Sequence, residues 1–184
     1  MNNRGTGAGG KNTNINGKTF EKITDNTINL INNGFINKKY YLIKKYEDYK
    51  IINTSQNNFK KYIKNKFNID IFRNPDDAYI IKFNNYINKP IIKILEKKNQ
   101  NMEGSVETKL WSGPSLKREY EIVFGENFII EYAYCINYFL QQKLSSNNKK
   151  YTILNEILNE NNIITLYGND DNYYSKLNDW INNF

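Results

Sequence analysis

The chain contains no histidine and only one cysteine among its 184 residues. The absence of histidine excludes Ser-His-Asp and Cys-His nucleophilic sites and every zinc site that needs an imidazole ligand. A single cysteine can form neither an intrachain disulfide nor a four-cysteine zinc site. Cys135 lies within the apolar run from Phe128 to Ile136, which predicts a buried core thiol and a reducing, intracellular setting. A hydrolase of this composition must therefore use carboxylates, lysine and a hard metal ion.

Long apolar runs are also lacking. No run reaches the roughly 18 residues that indicate a transmembrane helix, and no secretory leader or lipidation pattern is present. We therefore expect a cytoplasmic protein with no membrane partner. The length predicts one domain over residues 1–184, and a hydrophobic content of 39% is sufficient for a globular core.

Basic residues outnumber acidic ones. Lysine and arginine together number 26 and aspartate and glutamate 19, which gives a formal net charge of +7. Such a balance favours a polyanionic partner such as nucleic acid. A composition rich in lysine, asparagine, isoleucine and tyrosine also follows from AT-rich coding DNA, so the charge alone leaves both explanations open.

The first 17 residues are rich in glycine and contain no apolar cluster. This composition predicts an N-terminal arm or loop, and we expect it to face DNA. The segment is not a nucleotide-binding P-loop, because Gly10-Lys11-Asn12 lacks the Ser or Thr hydroxyl that follows the lysine in that motif. No strand is predicted before it either.

Hydrophobic periodicity predicts alternating helices and strands along the rest of the chain. The predicted helices cover about 18–33, 55–67, 103–111, 115–124, 137–144, 151–160 and 173–183, and the predicted strands 40–46, 50–53, 69–72, 78–83, 90–96, 127–136 and 163–167. Strands mixed with helices, without an internal repeat, predict an α/β or α+β fold with a mixed central sheet flanked by helices.

Acidic and basic residues stand at the ends of two of these predicted strands. Pro75-Asp76-Asp77 precedes one strand, and Glu96-Lys97-Lys98 ends the next. Because side chains alternate along a strand, Lys98 should lie on the same side as Glu96. Carboxylates are ligands that Mg²⁺ prefers, and an ammonium can orient a water or neutralise phosphoryl charge. The pattern indicates Mg²⁺-dependent phosphodiester hydrolysis, although an exposed turn and strand end would explain the same residues.

The element order resembles that of a known nuclease superfamily. It runs from Pro75-Asp76 through two apolar strands and Glu96-Lys97-Lys98 to a helix opening near Glu103-Gly104-Ser105-Val106. This arrangement resembles the PD-(D/E)XK nuclease superfamily and, within it, type II restriction endonucleases. Residues 96–101 and 104–110 look like the stretch where the catalytic strand of such enzymes leads into a DNA-facing helix. The glycine-rich start, continuing to Phe20-Glu21, looks like the opening of some members.

The resemblance implies a restriction-endonuclease-like core and roles for individual residues. Asp77 would be the first metal ligand, in preference to the neighbouring Asp76, and Glu96 the second. Lys98 would be the catalytic lysine. Glu21 matches an additional acidic residue that some members place near the metal, although a carboxylate near a helix N-terminus is also favoured by the helix dipole. The implied cofactor is Mg²⁺, with Mn²⁺ able to substitute.

The same resemblance implies a double-stranded DNA substrate, cut at a short specific site by a homodimer. The residues expected to contact phosphates are Lys11, Lys18, Lys109, Lys117 and Arg118, and those expected to read base edges are Arg4 and Asn14. Two other functions are consistent with the sequence. One is a structure-specific or repair nuclease of the same superfamily, and the other is a non-catalytic basic DNA-binding protein.

Overall fold

A seven-stranded mixed sheet forms the centre of the molecule, as seen in a computed structural model that describes residues 18–85, 87–101 and 106–184. The strands are β1 (Ile36–Lys38), β2 (Tyr41–Lys45), β3 (Tyr49–Thr54), β4 (Asp77–Phe83), β5 (Ile91–Lys98), β6 (Ile129–Ile136) and β7 (Ile163–Tyr167). After a helical stretch at residues 18–23, the helices are α1 (Thr27–Asn32), α2 (Gln56–Phe67), α3 (Val106–Trp111), α4 (Gly113–Phe124), α5 (Tyr138–Leu144), α6 (Lys149–Glu160) and α7 (Tyr173–Asn182). The predicted mixed sheet with flanking helices is confirmed.

The order of strands in the sheet is the same as their order in the chain. The four pairs from β1–β2 to β4–β5 are antiparallel, whereas the pairs β5–β6 and β6–β7 are parallel. Parallel neighbours need a crossover connection. Helices α3 and α4 make the crossover from β5 to β6, and α5 and α6 make the one from β6 to β7. Strand β5 therefore has an antiparallel neighbour on one side and a parallel one on the other.

Helices cover both sides of the sheet. On the side that we call the front face, Ile80 and Ile94 pack with residues of α2, α4, α5 and α6. On the rear face, Tyr79 and Leu95 pack with Phe20 and with residues of α1 and α7. Because successive strand residues point to opposite faces, neighbouring residues of β4 and β5 enter different cores.

Two of the predicted elements differ from the structure. The helix predicted over 18–33 is interrupted, because the Thr24 hydroxyl donates to the Phe20 carbonyl (2.7 Å) and the Asp25 carboxylate accepts from the Thr27 amide (2.9 Å). Such local side-chain bonds compete with helical ones. The chain leaves α1 through Gly34, whose positive φ of 87° suits a residue without a side chain.

The strand predicted at Ile69–Phe72 is wrong, because no strand forms there. Helix α2 holds this segment instead. The Lys60 ammonium donates to the Phe72 carbonyl (2.7 Å), and Lys64 pairs with Asp70 (2.6 Å). Two lysines of the basic side of α2 therefore fix the chain that leads to Pro75.

Close packing behind the sheet depends on a glycine. Gly168 is buried directly after β7, and a Cβ atom there would lie 2.6 Å from Thr24 Cγ2 and 2.7 Å from Phe20 Cζ. The Gly168 amide donates to the Ile136 carbonyl (2.9 Å). Residues 20–24 can therefore approach the ends of β6 and β7 only because residue 168 has no side chain.

A buried lysine ties the end of α7 to the sheet. Lys93 of β5 is fully buried, and its ammonium donates to the Trp180 and Asn183 carbonyls (2.7 and 2.8 Å). It also pairs with Glu131 of β6 at 2.8 Å. Burial lowers the pKa of Lys93, and Glu131 opposes that change.

In the described part of the chain no helix is long and apolar enough to cross a membrane.

Candidate active site

The start of β4 lies beside the end of β5. Asp77 is opposite Leu95 in the antiparallel register, so Asp76 continues this alignment toward Glu96. The Asp76 carboxylate accepts a hydrogen bond from the main-chain amide of Lys97 (2.7 Å). The Pro75-Asp76 turn is therefore bonded directly to the strand that carries the other candidate residues.

Asp76, Glu96 and Lys98 lie together on the front face, and we call them the front cluster. The Lys98 ammonium and the Glu96 carboxylate are 2.8 Å apart, and each side chain is 16% exposed. Burial raises the pKa of Glu96, the ammonium of Lys98 opposes that rise, and the negative charge of Asp76 adds to it. The Glu96 carboxylate therefore lies in the field of one lysine, a second carboxylate and the more weakly acting Arg73.

Asp77 and Lys97 form a separate rear pair on the opposite face. Asp77 Oδ2 lies 2.7 Å from Lys97 Nζ, with 17% of the aspartate and 7% of the lysine side chain exposed. The Lys97 ammonium also donates to the Thr24 carbonyl (3.1 Å). Burial raises the pKa of the Asp77 carboxyl, and Lys97 offsets part of this rise. The rear pair connects β4, β5 and the segment that follows residues 18–23.

The structure does not bring Asp77 together with Glu96 and Lys98 as the sequence analysis expected. The alternation of side chains that separates Lys97 from Lys98 also separates Asp77 from Asp76. Asp76 is the aspartate on the side of Glu96. The geometry therefore favours Asp76 over Asp77 as the partner of Glu96 in any shared metal site.

Two polar residues of α4 and one that precedes Pro75 lie near the front cluster, and the sequence patterns did not predict them. The guanidinium of Arg73 bonds to the Glu119 carboxylate (2.5 Å) although the residues are 46 positions apart. Tyr120 is buried, and among the described residues its hydroxyl has no hydrogen-bond partner. Burial raises the pKa of Tyr120, the charge of Glu96 adds to this, and Arg73 opposes it. No local sequence signal marks these residues, since only the tertiary fold brings them close to Glu96.

The two carboxylates of the front cluster suit Mg²⁺, which keeps several water ligands, better than a metal ion whose ligands all come from the protein. In the part of the chain that the structure describes, no group of three or more His, Cys, Asp and Glu residues is placed to hold a metal. Mg²⁺ is usually bound through one or two carboxylates, with waters and substrate phosphates as the remaining ligands. Asp76 and Glu96 can supply those two carboxylates.

The other predicted site residues lie elsewhere. Glu21 is exposed, and its helical stretch packs through Phe20 on the rear face, away from the front cluster. Lys18 and Lys109 are exposed. The Lys117 ammonium donates to the Asn161 carbonyl (2.7 Å), and Arg118 pairs with Glu121 (3.0 Å). The predicted DNA contacts Arg4, Lys11 and Asn14, and the arm that holds them, lie outside the described residues.

Comparison with known protein families, curated proteins and solved structures finds no match to this chain. The geometry of the front cluster and the chemistry of its residues are therefore the basis for assigning a function.

Proposed function

We propose that this chain is a Mg²⁺-dependent endonuclease that hydrolyses phosphodiester bonds of double-stranded DNA at the front cluster. The observation that carries the proposal is the meeting of Asp76 and Glu96 at neighbouring strand ends, with the Lys98 ammonium bonded to Glu96. Two acidic groups and one basic group, held at the end of β5 and in a turn that is hydrogen-bonded to it, are suited to phosphoryl chemistry.

Each residue of the front cluster has a role in this proposal. Asp76 and Glu96 would hold Mg²⁺, which when bound supplies a Lewis acid and makes a bound water more acidic. Glu96 fixes the Lys98 ammonium at 2.8 Å, so the positive charge does not need to be reorganised during the reaction. Lys98 would orient the attacking water and neutralise charge that develops on the phosphoryl oxygens.

Arg73 and Tyr120 support an anionic substrate. A buried hydroxyl without a partner is costly, so the Tyr120 hydroxyl is available to donate to a phosphate oxygen or to an ordered water. Its raised pKa keeps it protonated, as a donor must be. The Arg73 guanidinium, 46% exposed, can bind a phosphate through two parallel hydrogen bonds if it exchanges Glu119 for the substrate.

At a finer level, we propose that the protein is a type II restriction endonuclease of the PD-(D/E)XK superfamily. Supporting this are the Pro75-Asp76 turn, the antiparallel β4–β5 pair, Glu96 and Lys98 on one face, and helix α3 after β5. Cutting both strands at a palindromic site requires two active sites related by a two-fold axis, so the proposed active form is a homodimer. Mn²⁺ should substitute for Mg²⁺.

Plasmid cleavage tests the proposal. Discrete fragments should form with Mg²⁺ and be absent with EDTA or after Glu96→Gln or Lys98→Met. Asp70→Asn is a matched control, because Asp70 lies in the segment before Pro75 but is 83% exposed and pairs with Lys64. A random smear would contradict site specificity, and preferential cutting of branched DNA would indicate the structure-specific alternative. Salt-dependent binding without any cleavage would indicate a non-catalytic DNA-binding protein.

A further inference from the structure

Three lysines lie side by side at the end of the sheet opposite the front cluster. Lys45 of β2 is paired with Lys50 of β3, and Lys50 with Lys82 of β4. Each is two positions from a front-core residue, as Lys50 is from Ile52 and Lys82 from Ile80. These three lysines, which we call the lysine row, therefore lie on the same face as the front cluster.

The lysine row takes part in no ion pair among the residues that the structure describes. Burial lowers the pKa of Lys50, and the charges of Lys82, Lys45 and Lys66 lower it further. Like charges directly opposite each other on adjacent strands are destabilising. The Lys82 ammonium lies 5.7 Å from the ring centre of Phe67, the last residue of α2, and this cation–π contact supplies only a weak attraction.

We propose that the lysine row binds phosphate groups, supplied by the backbone of a nucleic acid that extends beyond the front cluster. Adjacent strands are about 4.8 Å apart, so the row presents closely spaced ammonium groups suited to successive backbone charges. The six residue-to-residue steps from Asp76 to Lys82 span about 20 Å, equal to the rise of about six nucleotides. The identity of this nucleic acid as the substrate rests on the proposed function, whereas the phosphate site does not.

Binding to a labelled DNA duplex of several helical turns tests this inference without cleavage, in EDTA and over a series of KCl concentrations. The K45Q/K50Q/K82Q variant should reduce the slope of log affinity against log salt by about 2 to 3, because each phosphate contact contributes about 0.9. The charge-matched variant K22Q/K149Q/K176Q changes lysines that are not adjacent in the sheet and should change the slope by less than about 1. The single K45Q variant should lower the slope by about 1.

Two further measurements distinguish nucleic acid from free polyphosphate as the ligand, and distinguish failure of this inference from failure of the nuclease proposal. If the row is a phosphate site, tripolyphosphate should raise the melting temperature of the original chain but not that of K45Q/K50Q/K82Q. If this happens while the salt slope of DNA binding is the same in the original chain and in K45Q/K50Q/K82Q, the site binds free polyphosphate and not DNA. Equal slopes for both triple variants, with no tripolyphosphate effect, would overturn the inference. Cleavage at saturating DNA should persist in K45Q/K50Q/K82Q, so the nuclease proposal is judged separately through Glu96→Gln.

Discussion

On the front face, Glu96 pairs with Lys98 and feels a second carboxylate, that of Asp76, whereas on the rear face Asp77 and Lys97 pair one to one. The residue types are the same, and the two sets are one position apart along the same strands. The rear pair is completed by the Thr24 carbonyl. The front cluster has a second carboxylate, that of Asp76, and among the described residues no lysine ammonium lies within ion-pair distance of it. A surplus of carboxylate thus distinguishes a candidate metal site from a structural ion pair.

The largest expected effect is on cleavage, from substitutions in the front cluster. Asp76→Asn should lower the cleavage rate by about 10²–10⁴-fold, since it removes a charged metal ligand while keeping an oxygen for the Lys97 amide. The melting temperature should change little. Plasmid cleavage rates and thermal unfolding measure the two quantities. Asp70→Asn is the control and should cleave at the original rate. Unchanged cleavage by Asp76→Asn would contradict the assignment of Asp76 as a metal ligand.

The second effect is on stability, from breaking the rear pair. Lys97→Met leaves the buried Asp77 carboxylate without its partner and should lower the free energy of unfolding by about 3–5 kcal/mol. Urea denaturation measures this change. Lys22→Met, at an exposed position, is the control and should have little effect. A Lys97→Met variant as stable as the original chain would show that the pair contributes no net stabilisation.

A smaller net effect is expected when both charges of the rear pair are removed. The double variant Asp77→Leu with Lys97→Met should recover most of the lost stability, to within about 1–2 kcal/mol, because replacing a whole buried ion pair is often near neutral. It should also cleave DNA, since the front cluster remains intact. A stable double variant that cannot cleave would indicate that Asp77, and not Asp76, is the metal ligand.

The smallest expected effect comes from one hydroxyl beside the front cluster. Tyr120→Phe removes a buried group that has no partner among the described residues, so the free energy of unfolding should stay the same or rise by about 1 kcal/mol. If the hydroxyl donates to substrate, cleavage should fall by about tenfold, equivalent to one such bond. Lower stability together with unchanged cleavage would indicate a purely structural hydroxyl.

Much of the fold follows from local patterns in the sequence. The strands β2 to β7 and the helices α2 and α4 to α7 agree with the predictions, because each has a clear apolar period. The Asn137 side chain caps α5 by accepting from the Leu140 amide, so this helix begins where it was expected to begin. The segment at Ile69–Phe72 was misread because lysines of α2 fix it through tertiary contacts.

Less of the candidate site could be predicted. Alternation along β5 places Glu96 with Lys98, and the structure agrees. Choosing between Asp76 and Asp77 requires the β4–β5 register, which no single strand reveals. Arg73 and Tyr120 reach the site only through the packing of α4, which the sequence does not encode in any local spacing.

The packing of residues 20–24 against the rear face tolerates no larger residue at position 168 without a shift. Even the added methyl group of alanine would overlap Thr24, whose carbonyl accepts from Lys97. Displacement of residues 20–24 would then reach the front cluster through the strand that Lys97 and Lys98 share. Selection on the proposed nuclease activity would therefore act on a residue with no charge and no side chain, on the far side of the sheet from the front cluster.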